Sequence, residues 1–145
     1  MSIKTPFVAV DGIVLLHDTN EKFKGIVLIE RKNPPLGMAL PGGFVDIGES
    51  CEHALLREMK EEISLDVEII GLLGVYSDPK RDPRFHTVSA VYICKAYGEP
   101  AAADDAKKCF VYLPGEIPKE KLVFDHARII EDFKNSPLYG KLFLQ

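Results

Sequence analysis

No run in this 145-residue chain approaches the roughly 18 consecutive apolar residues of a membrane-spanning helix, so no helical span is expected. Cysteine is scarce. Cys51, Cys94 and Cys109 are odd in number and widely spaced, which excludes a disulfide framework and a paired-cysteine metal knuckle. They read as reduced thiols in a cytoplasmic protein. A basic excess is also missing: 18 Lys and Arg face 22 Asp and Glu, for a net charge of −4. Broad nucleic-acid binding, which uses a basic face, is therefore not expected. The opening stretch MSIKTPFVAVDGIVLLHD carries one lysine before a short apolar run broken by Asp11, which is not a signal-peptide layout. Repeats, low-complexity tracts and long linkers are absent, so residues 1–145 read as one domain.

What is present is a chain of ordinary core-forming composition, 46% hydrophobic. The β-branched runs at 7–17 and 25–32 read as strands, closed by the prolines of NPPLG. Ser50 is a candidate N-cap for a helix over 51–63, where Leu55, Met59 and Ile63 recur every fourth residue. Residues 65–77 read as a strand bent at Gly71 or Gly74, 87–97 as the strongest strand, and 109–113 as another. GEPAAADDAKK reads as a loop with room for a short helical turn, and 125–136 as a closing amphipathic helix. Strands mixed with two helices predict an α/β sandwich with helices packed on a sheet.

The unusual feature is REMKEE, with Glu58, Glu61 and Glu62 inside five positions. At about 100° per residue, Glu62 falls about 40° to one side of Glu58 and Glu61 about 60° to the other. All three share the edge between the apolar stripe and the surface. Neighbours at this spacing repel, and a hard divalent cation with oxygen ligands would remove the repulsion. Arg57 adjoins Glu58 and precedes Glu61 by four, so it can hold a carboxylate in place, with Glu49 a further partner. The acids alone also fit a solvated helical face, since glutamate is a good helix former. Upstream, the adjacent Gly42 and Gly43 permit positive φ or close backbone approach. Either suits a loop that delivers a carbonyl to a metal or an amide to a phosphate, and either suits a plain turn.

Taken together the spacing is more specific. Gly43, five residues, Glu49, seven residues, then Arg57-Glu58-Met59-Lys60-Glu61-Glu62-Ile63-Ser64-Leu65 resembles the signature of the Nudix hydrolases. One position departs: Ser64 stands where that family has glycine to end the helix. The resemblance implies an α/β/α sandwich with a mixed central sheet. It also implies metal-dependent hydrolysis of a nucleoside diphosphate linked to another moiety. On it, the Gly42 carbonyl, Glu58, Glu61 and Glu62 are the expected ligands of Mg²⁺ or Mn²⁺. The base that takes the water's proton varies within the family. Glu58, Glu61 and the loop acids Asp104 and Asp105 are the candidates here, and the loop acids also read as a solvated turn.

Downstream, GVYSDPKRDPRFHTVS is similar to the ADP-ribose pyrophosphatase branch, which carries a proline in this loop. Pro79 lies fourteen residues past Leu65, and Pro83 eighteen. Phe85 stands where that branch has a small residue. The expected substrate is ADP-ribose, cleaved to AMP and ribose 5-phosphate. Tyr76 is a candidate to stack on the base. Arg31, Arg81, Arg84 and the Gly43 backbone are candidates to reach phosphate or ribose. Tyr76 equally reads as core and the arginines as solvated. His86 and His126 read as structural, His126 with a capping role. The branch also implies a homodimer paired through N-terminal strands. Two alternatives stand beside this reading. One is a nucleoside triphosphate pyrophosphatase acting on damaged nucleotides. The other is a non-catalytic ADP-ribose sensor with an attached DNA-binding module, for which the roughly thirty residues after Leu113 hold too little.

Overall fold

The computed structural model describes residues 2–144. A seven-stranded sheet runs in the order β3-β2-β1-β6-β5. Its strands are β1 (Phe7–His17), β2 (Phe23–Arg31), β3 (Met38–Ala39), β4 (Gly42–Phe44), β5 (Val67–Tyr76), β6 (Thr87–Tyr97) and β7 (Ala106–Tyr112). β4 pairs with β1 and β7 with β2. β1 lies parallel to β6 along its whole length and antiparallel to β2 and β4, so the sheet is mixed. The bend expected in the fifth strand is real: the β5–β6 register shifts between Ile69 and Gly71 and again between Leu72 and Gly74.

β1 is buried from Ala9 to Leu16 because both faces of the sheet are covered. Val10, Val14 and Leu16 point to one side, where α1 (Cys51–Ile63) lays Leu55, Met59 and Ile63 against them. Ile13 and Leu15 point to the other side and meet Ile129, Ile130 and Phe133 of α2 (His126–Lys134). The fourfold apolar repeat of α1 and the period-2 alternation of β1 thus interlock as an α/β/α sandwich. A third helix, α3 (Pro137–Phe143), is additional to the two expected. Ser136 caps it by accepting from the Tyr139 N–H, and Pro137 opens its first turn.

α1 begins and ends where its sequence predicts. Ser50 Oγ accepts from the His53 N–H at 3.1 Å. Ser64 takes the left-handed conformation, φ 59° and ψ 33°, that glycine usually supplies. Its hydroxyl donates to the Ala101 carbonyl at 2.9 Å, which offsets the cost of the conformation. The helix therefore stops as sharply as a glycine would stop it. The last carbonyls of α1 are satisfied by the following loop: Ala101 N–H donates to Ile63 and Ala103 N–H to Glu62. This stitching brings the 98–105 loop to the end of the acidic helix. The loop holds a turn at Asp104–Asp105 and no helix.

Candidate active site

A cleft of about 270 Å³ opens where β1, β2 and β4 meet the Glu58–Glu62 edge of α1 and the 81–87 loop. Its lining includes the acids Glu58, Glu62, Asp105, Asp11 and Asp82 and the cations Arg31, Arg81 and Arg84.

The glycine pair is required by close approach. Neither glycine has a positive φ, so that alternative is corrected. A Cβ on Gly43 would lie 2.4 Å from the Glu58 carboxyl, and one on Gly42 would lie 2.2 Å from the Val10 carbonyl oxygen. The Gly42 N–H donates to Glu62 Oε1 at 3.0 Å. β4 is therefore wedged between β1 and the acidic helix, with main chain laid directly on carboxylates. These contacts separate two substitutions. Gly43→Ala meets only a movable side chain and is expected to fold, while displacing Glu58 and lowering kcat at least about tenfold. Gly42→Ala meets main chain and is expected to destabilise the fold by about 2–4 kcal/mol. Thermal melts with steady-state rates on both variants check this contrast.

The three glutamates differ. Glu62 is 5% exposed. Burial, opposed by the Gly42 N–H and reinforced by the charges of Glu58, Asp11 and Asp105, pushes its carboxyl up to about 8. Glu58 is raised by burial too, against the pull of Arg57. Glu61 is not among the residues lining the cleft; its side chain is 46% exposed and is held beside Glu58 by Arg57. Arg57 organises the set. Its Nε and Nη2 donate to the two oxygens of Glu49 at 2.7 and 2.8 Å. Its Nη1 reaches Glu58 at 3.0 Å and Glu61 at 3.2 Å. Its Nη2 also donates to the Phe44 carbonyl of β4 at 3.1 Å. The Arg57 fork and the Asp46 N–H hold Glu49 down at about 2.

These residues fit a hard cation. Glu62 is a buried carboxylate whose one hydrogen bond comes from the Gly42 N–H, and its oxygens face the cleft beside Glu58. Among the described residues no three acidic, imidazole or thiol groups converge into a ready-made cage. The donor set therefore suits an ion that keeps water and takes substrate phosphate oxygens, as Mg²⁺ does.

The raised Glu62 pKa fixes a sign. Folding holds its proton more tightly than the unfolded chain does, so metal-free stability falls as pH rises from about 4.5 to about 8. Buried His126, lowered from 6.5, acts oppositely below that value. Between pH 6.5 and 8 Glu62 dominates this pair. The metal-free stability is expected to fall across that window by at most about 1.4 kcal/mol per pH unit, and Tm with it. The slope should flatten in Glu62→Gln, as read by melts in chelator.

The remaining predicted residues separate. Asp105 lines the cleft, whereas Asp104 sits in the exposed turn with φ 50° and does not reach it. Arg81 is buried in a two-pronged pair with Asp125, at 2.9 and 2.7 Å, so its charge is spent within the protein. Arg84 binds Asp82 with Nε and Nη2. Arg31 uses Nε on the Pro35 carbonyl. Tyr76 does not line the cleft: its hydroxyl donates to Asp132 at 2.8 Å in a separate hollow beside α2. His86 meets the Ser77 carbonyl outside the cleft. His126 does not cap its helix; its Nδ1 accepts from the Leu40 N–H at 3.0 Å, 86 residues away. Asp11, which accepts from the Ser89 hydroxyl at the cleft floor, and Phe124, on its wall, were not legible as site residues. Both reach it only through tertiary packing.

Comparison with known proteins gives this geometry a family. A sequence model of the NUDIX domain matches residues 6–133. A protein of Methanocaldococcus jannaschii named ADP-ribose pyrophosphatase is 49% identical over 131 residues, covering 88% of this chain and 73% of that one. A mutT/nudix family protein from Listeria innocua has a crystal structure that superposes with TM-score 0.77 at 31% identity, covering 98% of this chain and all of that one. A bifunctional NMN adenylyltransferase/ADP ribose pyrophosphatase from Francisella tularensis, complexed with AMP and a manganese ion, superposes with TM-score 0.78 at 28% identity. The match covers 93% of this chain and 43% of that one. With the Gly43–Leu65 spacing, the sandwich fold and the carboxylate-lined cleft all in agreement, the chain belongs to the Nudix hydrolase family.

Proposed function

We propose that this protein hydrolyses ADP-ribose to AMP and ribose 5-phosphate with Mg²⁺, and with Mn²⁺ as a substitute, residues 1–145 acting as one domain. The observation that carries the reading is the presence in one cleft of the Glu58 and Glu62 carboxylates, Glu62 buried with no cationic partner, together with Arg31 and Arg84. A diphosphate needs both: cations held by the acids, and hydrogen-bond forks from the arginines. The named activity of the Methanocaldococcus jannaschii relative supports the substrate, and the manganese and AMP in the Francisella tularensis structure support the ligand classes.

Glu58, Glu62, Glu61 and the Gly42 carbonyl would hold the cation. When bound, it would neutralise the diphosphate and acidify a water. The chain's own residues do the rest. Arg57 keeps Glu58 and Glu61 aimed by gripping both, and anchors itself on Glu49. Asp105, which lines the cleft on the loop stitched to the end of α1, would take the proton of the attacking water. Water oxygen bonds to one phosphorus as the bridging oxygen leaves with its electron pair on the other phosphate. Arg31 and Arg84, which line the same cleft, would bind the departing phosphate.

Purified protein with Mg²⁺ is expected to convert ADP-ribose to equimolar AMP and ribose 5-phosphate, resolved by ion-exchange chromatography. Intact ADP-ribose alongside cleavage of a nucleoside triphosphate to monophosphate and pyrophosphate would overturn the substrate. The exposed Ile3, Phe7 and Val8 at the start of β1 support a homodimer, to be checked by sedimentation equilibrium. The three free thiols suit a reducing, cytoplasmic setting.

A further inference from the structure

Phe124 combines three features that the hydrolytic reading does not use. Its φ is 58°, a left-handed conformation that a bulky side chain rarely adopts and that marks functional positions when the surroundings enforce it. Its ring lies on the cleft wall. Two guanidiniums share that ring: the Arg31 carbon is 5.0 Å from its centroid and the Arg84 carbon 5.5 Å.

The surroundings do enforce the conformation. On one side Val123 N–H donates to the Met38 carbonyl, and on the other His126 Nδ1 accepts from the Leu40 N–H at 3.0 Å. Met38 also bridges Leu122 in parallel fashion. The Leu122–His126 segment is thus zipped onto the strand that runs directly into Gly42 and Gly43. The left-handed turn at Phe124 is how this zipped segment projects a ring into the cleft.

The ring has a specific electrostatic task. Like charges gathered in a partly dry cleft repel, and the charge of Arg84 joins burial in lowering the Arg31 pKa. The face of an aromatic ring attracts a guanidinium. Phe124 is the ring that both cations share: Arg84 lies also over Phe85 at 5.0 Å and Phe44 at 5.8 Å and is gripped by Asp82, whereas Arg31 meets only the Phe124 ring among the described residues. Arg84 has spent Nε and Nη2 on Asp82, leaving Nη1. Arg31 has spent only Nε, and forms no ion pair among the described residues. The free donors are thus the Arg31 Nη pair and Arg84 Nη1. Three N–H-bearing nitrogens left over on two guanidiniums at one ring suit the non-bridging oxygens of one phosphate.

We infer that Phe124 is a positioning residue: it spaces and orients Arg31 and Arg84 into a phosphate clamp in the cleft, binding a nucleotide phosphate without help from the cation. This deepens the proposed hydrolysis and rests on it for the identity of the phosphate. The clamp itself is testable apart from turnover.

The probe is AMP binding in chelator, read by calorimetry, on wild type, Phe124→Leu and Phe124→Tyr. Wild type is expected to bind AMP without metal, Phe124→Leu at least about tenfold more weakly, and Phe124→Tyr within about twofold of wild type. Manganese affinity, measured separately, should stay within about twofold in all three. With ADP-ribose, Phe124→Leu should raise KM about tenfold with kcat changed less than about threefold. Phe124→Gly tolerates the φ without strain, so it should fold and lose AMP binding like Phe124→Leu. Equal AMP affinity in wild type and Phe124→Leu would overturn the clamp. So would a parallel loss of manganese binding, since that would show general damage to the cleft. If AMP binds as expected but ADP-ribose is not a substrate, the clamp stands and only the substrate reading fails.

Discussion

Glu62→Gln is expected to lower kcat on ADP-ribose by about 10³-fold or more while leaving the protein folded. The reason lies in what the substitution keeps. Glutamine has the same shape, and its amide oxygen can still accept from the Gly42 N–H that meets Glu62 at 3.0 Å. What disappears is the charge. In the metal-free protein that charge is costly, because burial pushes the Glu62 carboxyl up to about 8. Removing it should raise the metal-free Tm at pH 6.5 and raise it further at pH 8. A buried acid retained at a cost to stability, and repaid only with a cation present, is the signature of a functional group. Circular dichroism melts beside stopped rate assays check both halves. A variant that is inactive because it is unfolded would defeat the argument.

Removal of Arg57 gives the second large effect, and it falls on stability and activity together. Arg57→Met leaves Glu49, whose side chain is 8% exposed, without the two-pronged partner that holds it at about 2. It also frees Glu58 and Glu61 and cuts the tie to the Phe44 carbonyl of β4. Tm should fall clearly below wild type near pH 7. Glu49's contribution is present above about pH 4.5 and lost toward pH 2, so the deficit should shrink in acid. kcat should fall about 10²-fold, because Glu58 loses its aim. Arg57→Lys cannot reproduce the fork and should recover little of either. Full activity in Arg57→Lys would show that only a positive charge is needed there.

The parts of the fold legible in the sequence are those set by local pattern. α1 runs over the predicted Cys51–Ile63, because its cap, its fourfold apolar repeat and its stop are all local. β1 and β6 match their apolar runs residue for residue. β3 and β4 were not legible as strands, because two- and three-residue segments are defined by their partners. β7 begins at Ala106, before the predicted Cys109, because its charged start is drawn into the sheet by β2. α3 carried an overlooked signal in Ser136–Pro137, a cap followed by a first-turn proline.

The site divides along the same line. Helical spacing alone placed Glu58 and Glu62 on one edge, and the structure delivers both to the cleft. It could not say that Glu61 would fall outside the cleft lining, since small rotations about the helix decide burial. Tyr76 and Arg81 read as ligand contacts, but Asp132 and Asp125 claim them from elsewhere in the chain. Asp11 comes from β1, Phe124 from the turn before α2 and His126 from the start of α2, and nothing in their spacing announces that they meet.

The central claim is that crowded carboxylates on α1 are tolerated because a hard divalent cation binds among them and joins the protein to phosphate. Manganese titration followed by electron paramagnetic resonance, with and without AMP, tests it most directly. The account predicts uptake by wild type that tightens when AMP is present, because the protein supplies too few ligands alone. It also predicts loss of that uptake in Glu62→Gln. No manganese uptake with AMP bound, or equal uptake by Glu62→Gln, would contradict it.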